Sequence, residues 1–214
     1  MIKRTSKKYI DNLLQNNTTW NILDIGCGYN ANKFAKVICD VQDLSNHYQD
    51  KKFIRLSENK LPFKDKEFDY VILSHVMEHV PNLLEFKDEI VRIAKAGYIE
   101  LPTKLNDNIV FGCDEEVYGH KWWFEFDDDN QKLLYTPKKD AIEKFLSVGS
   151  VWKFQEFYED SFLLQFYWND NIELKEREPF IIDKKISFLS LVKKYCSKKL
   201  RIPISKLKNI IKKN

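Results

Sequence analysis

The sequence predicts an α/β fold: a Rossmann-like, mostly parallel sheet with helices on both faces and antiparallel strands at its C-terminal edge. Two observations lead to this prediction. Between Asn21 and Leu101, short apolar runs alternate with helical or loop segments, as in proteins built from parallel strands and crossovers. Beyond Pro102, aromatic-rich runs separated by turn residues take over, a pattern typical of antiparallel strands.

The parallel part rests on apolar runs bounded by turn residues. The first run ends in Gly-Cys-Gly, which indicates a buried strand that enters a tight turn. A helix is predicted at 81–94, because its apolar residues recur at helical spacing after Pro81. Only seven residues separate Gly28 from Lys36, so the first crossover is predicted to lack a full helix. The strands are predicted at residues 21–25, 36–39, 53–56, 68–73 and 98–101.

The later part of the chain is predicted to add a hairpin, a short helix and two more strands. The acidic stretch between the hairpin strands reads as a solvated turn rather than a metal site. We expect the two aromatic-rich strands to join the edge of the sheet. The elements are a hairpin of 121–126 and 131–135, an amphipathic helix at 138–148, strands at 151–157 and 162–168, and a turn at 169–171.

Composition excludes several classes of protein. The 214 residues are 43% hydrophobic and 31% charged, as in a globular domain rather than a disordered tail. No run approaches the ~20 apolar residues of a spanning helix. The basic start has no apolar run behind it, so no secretory signal is predicted. Four scattered cysteines argue against a disulfide framework or a thiolate zinc site, and we expect a reducing, cytoplasmic compartment.

Charge divides the chain into an acidic body at residues 1–183 and a basic amphipathic C-terminal tail at residues 184–214. The tail holds eleven Lys or Arg and no Asp or Glu, whereas the body holds 24 basic and 32 acidic residues, a net charge of −8. An acidic body argues against nucleic-acid binding. The tail is predicted to form two short helical segments split at 201–203, either solvated or in peripheral contact with an anionic membrane.

The most informative local motif is Asp24-Ile25-Gly26-Cys27-Gly28. Glycines after a strand let the backbone approach a ligand at the carboxyl edge of a sheet, and a carboxylate there accepts bonds from an ammonium or hydroxyls. Gly26, Gly28 and Ala31 also match a dinucleotide fingerprint, but the short crossover leaves no room for its helix, and Asp40 arrives too early. A plain tight turn is the third interpretation.

Three blocks carry a resemblance to the class I S-adenosylmethionine-dependent methyltransferases. They are LDIGCG (23–28), LPFKDKEFDYVILSHVMEHV (61–80) and EIVRIAKAGYIELP (89–102). Together with the strand that ends in Asp40 they span about 80 residues. The third block and the following GHKWWFEFDDDNQKLLYTPKK (119–139) resemble a subgroup found among glycan and cell-surface polysaccharide methyltransferases.

The resemblance implies S-adenosylmethionine as the cofactor and a role for each matching residue. The glycine turn and its aspartate would line the methionine end. Asp40 would hold the ribose hydroxyls, with Asp43 in reserve. The adenine would lie near Ser57, where the family usually has an acid, and Glu58 stands beside it. The implied cofactor-binding residues are Asp24, Gly26, Cys27, Gly28, Asp40, Ser57, Glu58, Ser74 and His75, the last two bordering the sulfonium.

His75-Val76-Met77-Glu78-His79 also matches the HxxEH pattern of inverted zinc peptidases. On a helix, His75 and His79 would share a face, with Glu78 as general base. The methyltransferase block accounts for the same five residues within a longer match, so we predict no metal ligands here. Some sugar methyltransferases use a divalent ion, and that alternative stays open. The alternative role for Glu78 and His79 is to cap or brace the helix that follows.

Methyl transfer to a hydroxyl needs a base, since an alcohol is a weak nucleophile at neutral pH. His120, with His75 as second choice, is the predicted catalytic residue; it follows the fifth strand and the acids Asp114, Glu115 and Glu116. The aromatic residues after His120 either floor an acceptor pocket or belong to the core. Trp122 and Phe124 should share one face of their strand, and Trp123 the other.

These patterns support three hypotheses on function. The first is an O-methyltransferase that acts on a small-molecule or glycan acceptor. The second is a methyltransferase of quinones or lipid-like metabolites, for which a membrane-binding tail would be useful. The third is a non-catalytic cofactor-binding module that its basic tail docks to a membrane. The intact Asp24, Gly26, Gly28 and Asp40 argue against the third.

Overall fold

The computed structural model describes residues 1–57, 60–110, 119–139, 144, 146–179, 181 and 185–211. Within these ranges, no helix combines the length and the hydropathy that crossing a bilayer requires. The strands are β1 (Ile2–Arg4), β2 (Ile22–Ile25), β3 (Val37–Asp40), β4 (Lys52–Arg55), β5 (Phe68–Ser74), β6 (Ala94–Pro102), β7 (Trp122–Asp127), β8 (Lys132–Pro137), β9 (Leu163–Asn169) and β10 (Leu174–Glu176). The helices are α1 (Lys7–Asn16), α2 (Leu83–Ile93), α3 (Lys104–Ile109), α4 (Val148–Phe162) and α5 (Phe188–Ile211).

The main sheet has the strand order β1-β9-β6-β5-β2-β3-β4 in the described part of the chain. Strands β2 to β6 run parallel to their neighbours, while β9 pairs antiparallel with β6, and β1 antiparallel with β9. The chain steps outward from β2 to β3 and β4, then returns to place β5 on the other side of β2. Strand order therefore reverses beside β2, where open α/β sheets bind ligands. The predicted fold class is confirmed.

Both faces of the main sheet are covered, because consecutive residues of β5 point to opposite sides. On one face Tyr70 and Ile72 pack in a cluster with the apolar residues of α1. On the other face Val71 and Leu73 pack in a cluster with those of α2. β5 is thus buried on both sides, which explains its almost unbroken apolar sequence.

The predicted hairpin is confirmed as β7 and β8, but it does not extend the main sheet. It forms a separate sheet, β10-β8-β7, in which β10 pairs parallel with β8. Phe124 and Leu133 of this sheet join the same apolar cluster as α2. The turn after β7 is tied to the main sheet by Arg4, whose Nε donates to Asp128 Oδ1 at 2.7 Å.

Several predicted elements were wrong or missed. Residues 151–157 form helix α4 rather than a strand: the Ser147 side chain accepts a bond from the Ser150 amide and starts the helix. The tail helix α5 continues through residues 201–203, where a break was predicted. Pro203 removes one backbone bond, which kinks a helix but need not end it. β1 and α1 were not predicted, and most of the helix expected at 138–148 lies outside the described residues.

The link between β2 and β3 lacks a helix, as the short spacing predicted. The two strands pair directly, with Asp24 opposite Ile38. Residues 26–36 form turns that lie against this edge of the sheet. This connection places the glycine turn beside the end of β3.

Candidate functional site

A cavity of about 490 Å³ opens at the carboxyl ends of β2, β3 and β5. This volume lies within the range of ~300–1,000 Å³ that small-molecule sites occupy. The cavity therefore lies at the reversal of strand order, where the fold predicts a ligand. Its lining residues are Ile25, Gly26, Asp40, Val41, Gln42, Leu56, Leu61, His75, Val76, His79, Val80, Pro81, Asn82, Glu85 and Phe86.

The glycine turn borders the cavity in a backbone conformation that glycine alone adopts without strain. Gly26 has φ +67° and Gly28 has φ +49°. A Cβ at Gly26 would lie 2.6 Å from Val76 Cγ2, whereas a Cβ at Gly28 would have no atom within 4 Å. The Gly26 amide donates to the Cys39 carbonyl at 2.8 Å and so locks the turn onto the end of β3. Gly26 is required for close packing, and Gly28 for its dihedral angle.

Asp40 lines the cavity and is held by backbone amides on both carboxylate oxygens. The Gly28 amide donates to Oδ2 and the Gln42 amide to Oδ1, each at 2.9 Å. A carboxylate has about four acceptor positions, so each oxygen can still accept a ligand hydroxyl. Tyr48, which the sequence did not single out, braces the same turn: its hydroxyl donates to the Gly28 carbonyl at 2.7 Å. The site has a rigid carboxylate at the end of β3.

Asp24 lies beneath the turn rather than in the cavity lining. Only 5% of its surface is exposed, and the Asn32 amide donates to Oδ2 at 2.7 Å. Burial raises the pKa of Asp24 to about 6, although the bond from Asn32 and the charge of Lys51 oppose the shift. Asp24 therefore holds the connection between β2 and β3 in place through its bond from the Asn32 amide.

Of the predicted cofactor residues that the structure describes, Gly26, Asp40 and His75 line the cavity, whereas Asp24, Cys27, Gly28, Ser57 and Ser74 do not. The Cys27 side chain is buried in the α1-side core, where burial raises the pKa of the thiol to about 12. Ser57 is exposed and lies outside the lining; Leu56 and Leu61 provide an apolar wall there instead. Glu58 lies outside the described residues.

The reserve residue Asp43 is exposed and caps its own turn. The Ser45 hydroxyl donates to Asp43 Oδ1 at 2.7 Å, and the two bonds from Ser45 hold the pKa of Asp43 below its usual value. Asp43 is absent from the cavity lining, whereas Asp40 is part of it. Asp40, rather than Asp43, is therefore the carboxylate at this strand end that lines the cavity.

His75 lines the cavity directly after β5, with an unusual φ of +55°. Its Nδ1 lies 3.2 Å from Glu78 Oε1, and its Nε2 lies 3.8 Å from Glu100 Oε1. Burial lowers the pKa of His75, but the bond to Glu78 and the two negative charges outweigh it, so the pKa is raised. Ser74 points away from the lining, because its hydroxyl donates to Glu100 Oε1 at 2.6 Å.

Glu100 is a buried carboxylate beneath His75 that the sequence did not single out. The Tyr98 hydroxyl and Gln165 Nε2 donate to its Oε2 at 2.7 and 3.0 Å. Burial raises the pKa of Glu100, yet the bonds from Ser74 and Tyr98 lower it below its ordinary value. The result is a fixed negative charge under the imidazole of His75.

Residues 75–80 form a turn, and α2 begins only at Leu83. His75 and His79 therefore do not share a helical face, and the zinc-peptidase arrangement is absent from this segment. Neither Glu78 nor His79 caps α2, whose N-cap is Asn82. Glu78 is instead fully buried. Burial raises its pKa, but the bond to His75 and the charges of the neighbouring histidines outweigh that effect, so the pKa of Glu78 is lowered.

His120 comes to this turn from a distant part of the chain. The Lys121 amide donates to the Glu78 carbonyl at 2.7 Å, and Trp122 Nε1 donates to the Val80 carbonyl at 2.7 Å. These bonds place the His120 ring edge-on to the His79 ring, with centroids 4.5 Å apart. His79, which lines the cavity, is thus in ring contact with His120.

A carboxylate orients His120, but it is not one of those expected from the sequence. Asp107 of α3 places Oδ1 2.5 Å from His120 Nδ1, and its Oδ2 accepts a bond from Trp123 Nε1 at 2.9 Å. The predicted neighbours, residues 114–116, lie outside the described residues. α3 follows β6 directly at the carboxyl edge, which is the sequence signal that could have found Asp107.

The aromatic residues after His120 do not line the cavity. Trp122 and Phe124 pack on the main core, while Trp123 faces α3 and holds Asp107. The predicted alternation is therefore confirmed, and the interpretation as core residues is the correct one. The acidic stretch after β7 forms a turn, as predicted, in which Asp127 accepts bonds from Asn130.

Comparison with known proteins gives the family. An uncharacterized protein of Methanocaldococcus jannaschii is 31% identical over 143 residues, which are 57% of this chain and 59% of the relative, less than two thirds of its length. A SAM-dependent methyltransferase of Aquifex aeolicus is 15% identical over 75% of this chain and 87% of that one, with a TM-score of 0.41. A protein of Pyrococcus horikoshii is 17% identical over 77% and 92%, with a TM-score of 0.42. Residues 1–146 match the family described as "Methyltransferase domain", and because they make up more than half of the chain, it belongs to that family of methyltransferases.

Proposed function

We propose that this chain transfers a methyl group from S-adenosylmethionine to a hydroxyl of a sugar or glycan acceptor. The observation that carries the proposal is one cavity lined by Gly26, Asp40, His75 and His79. The His79 ring in turn contacts the ring of His120, the candidate base. The other hypotheses, a quinone or lipid-like acceptor and a non-catalytic module, become outcomes of the test below.

The lining residues fit the chemical groups of the cofactor. Asp40 retains acceptor positions for two ribose hydroxyls, and Leu56, Leu61 and Phe86 offer an apolar wall for a flat base. Gly26 leaves room for close approach of the methionine portion. When bound, the cofactor supplies an activated methyl group, and the protein supplies position and exclusion of water.

The imidazole of His120, held in place by Asp107, is suited to accept the proton of the acceptor hydroxyl. As the acceptor oxygen bonds to the methyl carbon, the carbon–sulfur bond breaks and its electron pair stays on sulfur; the hydroxyl proton must leave to a base. Donation from His120 Nδ1 to Asp107 leaves the Nε2 lone pair free to accept that proton. Asp107 thereby fixes both the ring and the tautomer that a base requires.

Support for a hydroxyl-rich acceptor comes from the polar part of the lining. His75, His79, Asn82 and Glu85 all border the cavity. Such groups hydrogen-bond to sugar hydroxyls and would remain unsatisfied against a purely apolar quinone ring. The resemblance of residues 119–139 to glycan methyltransferases points in the same direction.

The test is a methylation assay with radiolabelled cofactor against nucleotide-sugars, oligosaccharides and quinone precursors, beside a calorimetric titration of the cofactor. We expect cofactor binding and turnover on a sugar substrate. His120→Ala should lower turnover ~10²-fold or more and leave cofactor affinity unchanged. Turnover on quinone precursors alone would favour the lipid-like acceptor, and binding without any turnover would favour the non-catalytic module.

We also propose that α5 lies on an anionic membrane surface. Leu189 and Tyr195 expose 75% and 63% of their surface on a helix in which lysines recur. Each basic residue near such a surface contributes ~1 kcal/mol, and the apolar side chains add burial.

A further inference from the structure

We propose that Glu78, His79 and His120 bind one divalent first-row transition-metal ion of the Zn²⁺ type. The proposal replaces the expectation that the site holds no metal, and its catalytic part rests on the proposed function. One potential ligand atom of each residue lies within 4.8 Å of those of the other two. Ligand bonds near ~2.1 Å place ligand atoms roughly 3–4 Å apart, so small side-chain rotations would complete the site.

The first supporting observation is an orphaned oxygen in the cluster. Glu78 is fully buried; its Oε1 lies 3.2 Å from His75 Nδ1 and 4.0 Å from His120 Nε2. Its Oε2 is buried and has no hydrogen-bond partner among the described residues. A buried carboxylate with an unsatisfied oxygen is costly unless a cation compensates it. A metal ion among these side chains supplies that compensation.

The second observation is the support behind His120. Asp107 binds Nδ1 at 2.5 Å and thereby directs Nε2 toward Glu78. Asp107 is itself held by Trp123, and only 1% of its surface is exposed. A carboxylate on the far nitrogen of a histidine is the usual support of a metal-bound imidazole, since it fixes the tautomer and the ring orientation.

The third observation is that the backbone brings the ligands together before any ion binds. Glu78 and His79 lie on the turn after β5, and His120 directly precedes β7. The Lys121 amide donates to the Glu78 carbonyl, and the Trp122 side chain to the Val80 carbonyl. A site built on such fixed segments requires little reorganisation on binding.

The set of donors selects the kind of ion. Two imidazoles and one carboxylate suit Zn²⁺ and its first-row neighbours better than Mg²⁺ or Ca²⁺, which prefer oxygen ligands throughout. Three protein ligands leave a position for substrate. Because His79 also lines the cavity, that position can face the acceptor. An ion there would bind the acceptor hydroxyl and lower its pKa; His120 would then be a ligand, and the hydroxyl proton would pass to His75, which also lines the cavity.

The experiment uses the full chain after chelator treatment, with Zn²⁺ titrated by calorimetry and Co²⁺ followed by its visible absorption. We expect one ion per chain. His79→Ala, Glu78→Gln and His120→Ala should each abolish the absorption band and weaken Zn²⁺ binding by more than ~100-fold, and Asp107→Asn should weaken it ~10–100-fold. His47→Ala, an exposed histidine outside the cluster, is the matched control and should bind like the wild type.

Circular dichroism and thermal unfolding establish that each variant is folded, and the partly exposed His79 provides a test if the buried Glu78 variant does not fold. Two results would overturn the inference. One is wild-type protein that binds Zn²⁺ no more strongly than the three ligand variants; the other is a His47→Ala variant that loses as much Zn²⁺ binding as they do. Cofactor titration separates this result from the proposed function. A chelated protein that binds cofactor and methylates at the full rate contradicts the metal alone, whereas metal binding without cofactor binding contradicts the proposed function alone.

Discussion

Substituting alanine for Gly26 tests how the turn is built. The new Cβ would lie 2.6 Å from Val76 Cγ2 in a backbone with φ +67°. Val76 is β-branched, which restricts its side-chain rotamers, so it cannot turn aside without cost. Both residues line the cavity, and the displacement should therefore reach the cofactor as well as the core.

The magnitude follows from two separate contributions. Holding an L-residue in the left-handed region costs ~1–2 kcal/mol, and overpacking a fixed neighbour adds ~1–3 kcal/mol. Gly26→Ala should thus lower the free energy of unfolding by roughly 2–5 kcal/mol. Gly28→Ala is the matched control: φ is +49° but nothing lies within 4 Å, so only the first contribution of ~1–2 kcal/mol applies.

Urea unfolding and a calorimetric cofactor titration would be measured for both single variants and for Gly26→Ala combined with Val76→Ala. Removing the Val76 methyls should relieve the overlap, which predicts a favourable coupling of ~1–3 kcal/mol in the double-mutant cycle. Equal losses at Gly26 and Gly28, or a coupling near zero, would refute this account of the turn.

Three further predictions concern charge. Burial raises the pKa of Asp24 to about 6, so its contribution to the free energy of unfolding is full below about pH 4 and is lost as pH rises through about 6. In a pH series of urea unfolding, Asp24→Asn should remove that decline of roughly 3 kcal/mol. Asp40→Asn should weaken cofactor binding about tenfold or more by calorimetry, whereas the exposed Asp43→Asn should not. Lys193→Glu with Lys194→Glu should reduce co-sedimentation with anionic vesicles at low salt; equal sedimentation would contradict membrane contact.

The sequence was most informative where structure is determined locally. Apolar runs bounded by turn residues predicted β2, β3 and β5, and parallel topology then brought the ends of these strands to one edge. Gly26, Asp40 and His75 lie together at the cavity for that reason. Ser57 does not, because the chain after β4 turns its serine outward and Leu56 inward.

Where long-range packing decides, the sequence was less informative. The aromatic residues at 151–157 have a strand-like composition, but Ser147 caps a helix there that packs on α3. The strand prediction assumed that these aromatic side chains are buried, but Trp152 and Phe157 are exposed on the helix. α1 had a readable signal that was overlooked: Ser6 caps it, and Ile10 and Leu14 lie one turn apart.

The partner of His120 illustrates the same limit at the site. Sequence proximity suggested an acid among residues 114–116, but the carboxylate on Nδ1 is Asp107, which lies 13 residues from His120 in the chain. The tie between Lys121 and Glu78 likewise joins segments more than forty residues apart. Neither contact has a local signature, because both depend on how the second sheet packs against the first.

The pairing of β1 with β9 has a consequence for the order of folding. Ile2 lies opposite Trp168 in this ladder, so the first strand of the chain cannot find its neighbour until the last strand of the main sheet has been synthesised. Strands β2 to β6 depend on no residue beyond 102 for their mutual pairing. Contacts of high sequence separation form slowly, since a long loop must close first. On the ribosome, the parallel strands that carry the candidate site can therefore pair early, whereas β1 joins the sheet only after β9 has formed.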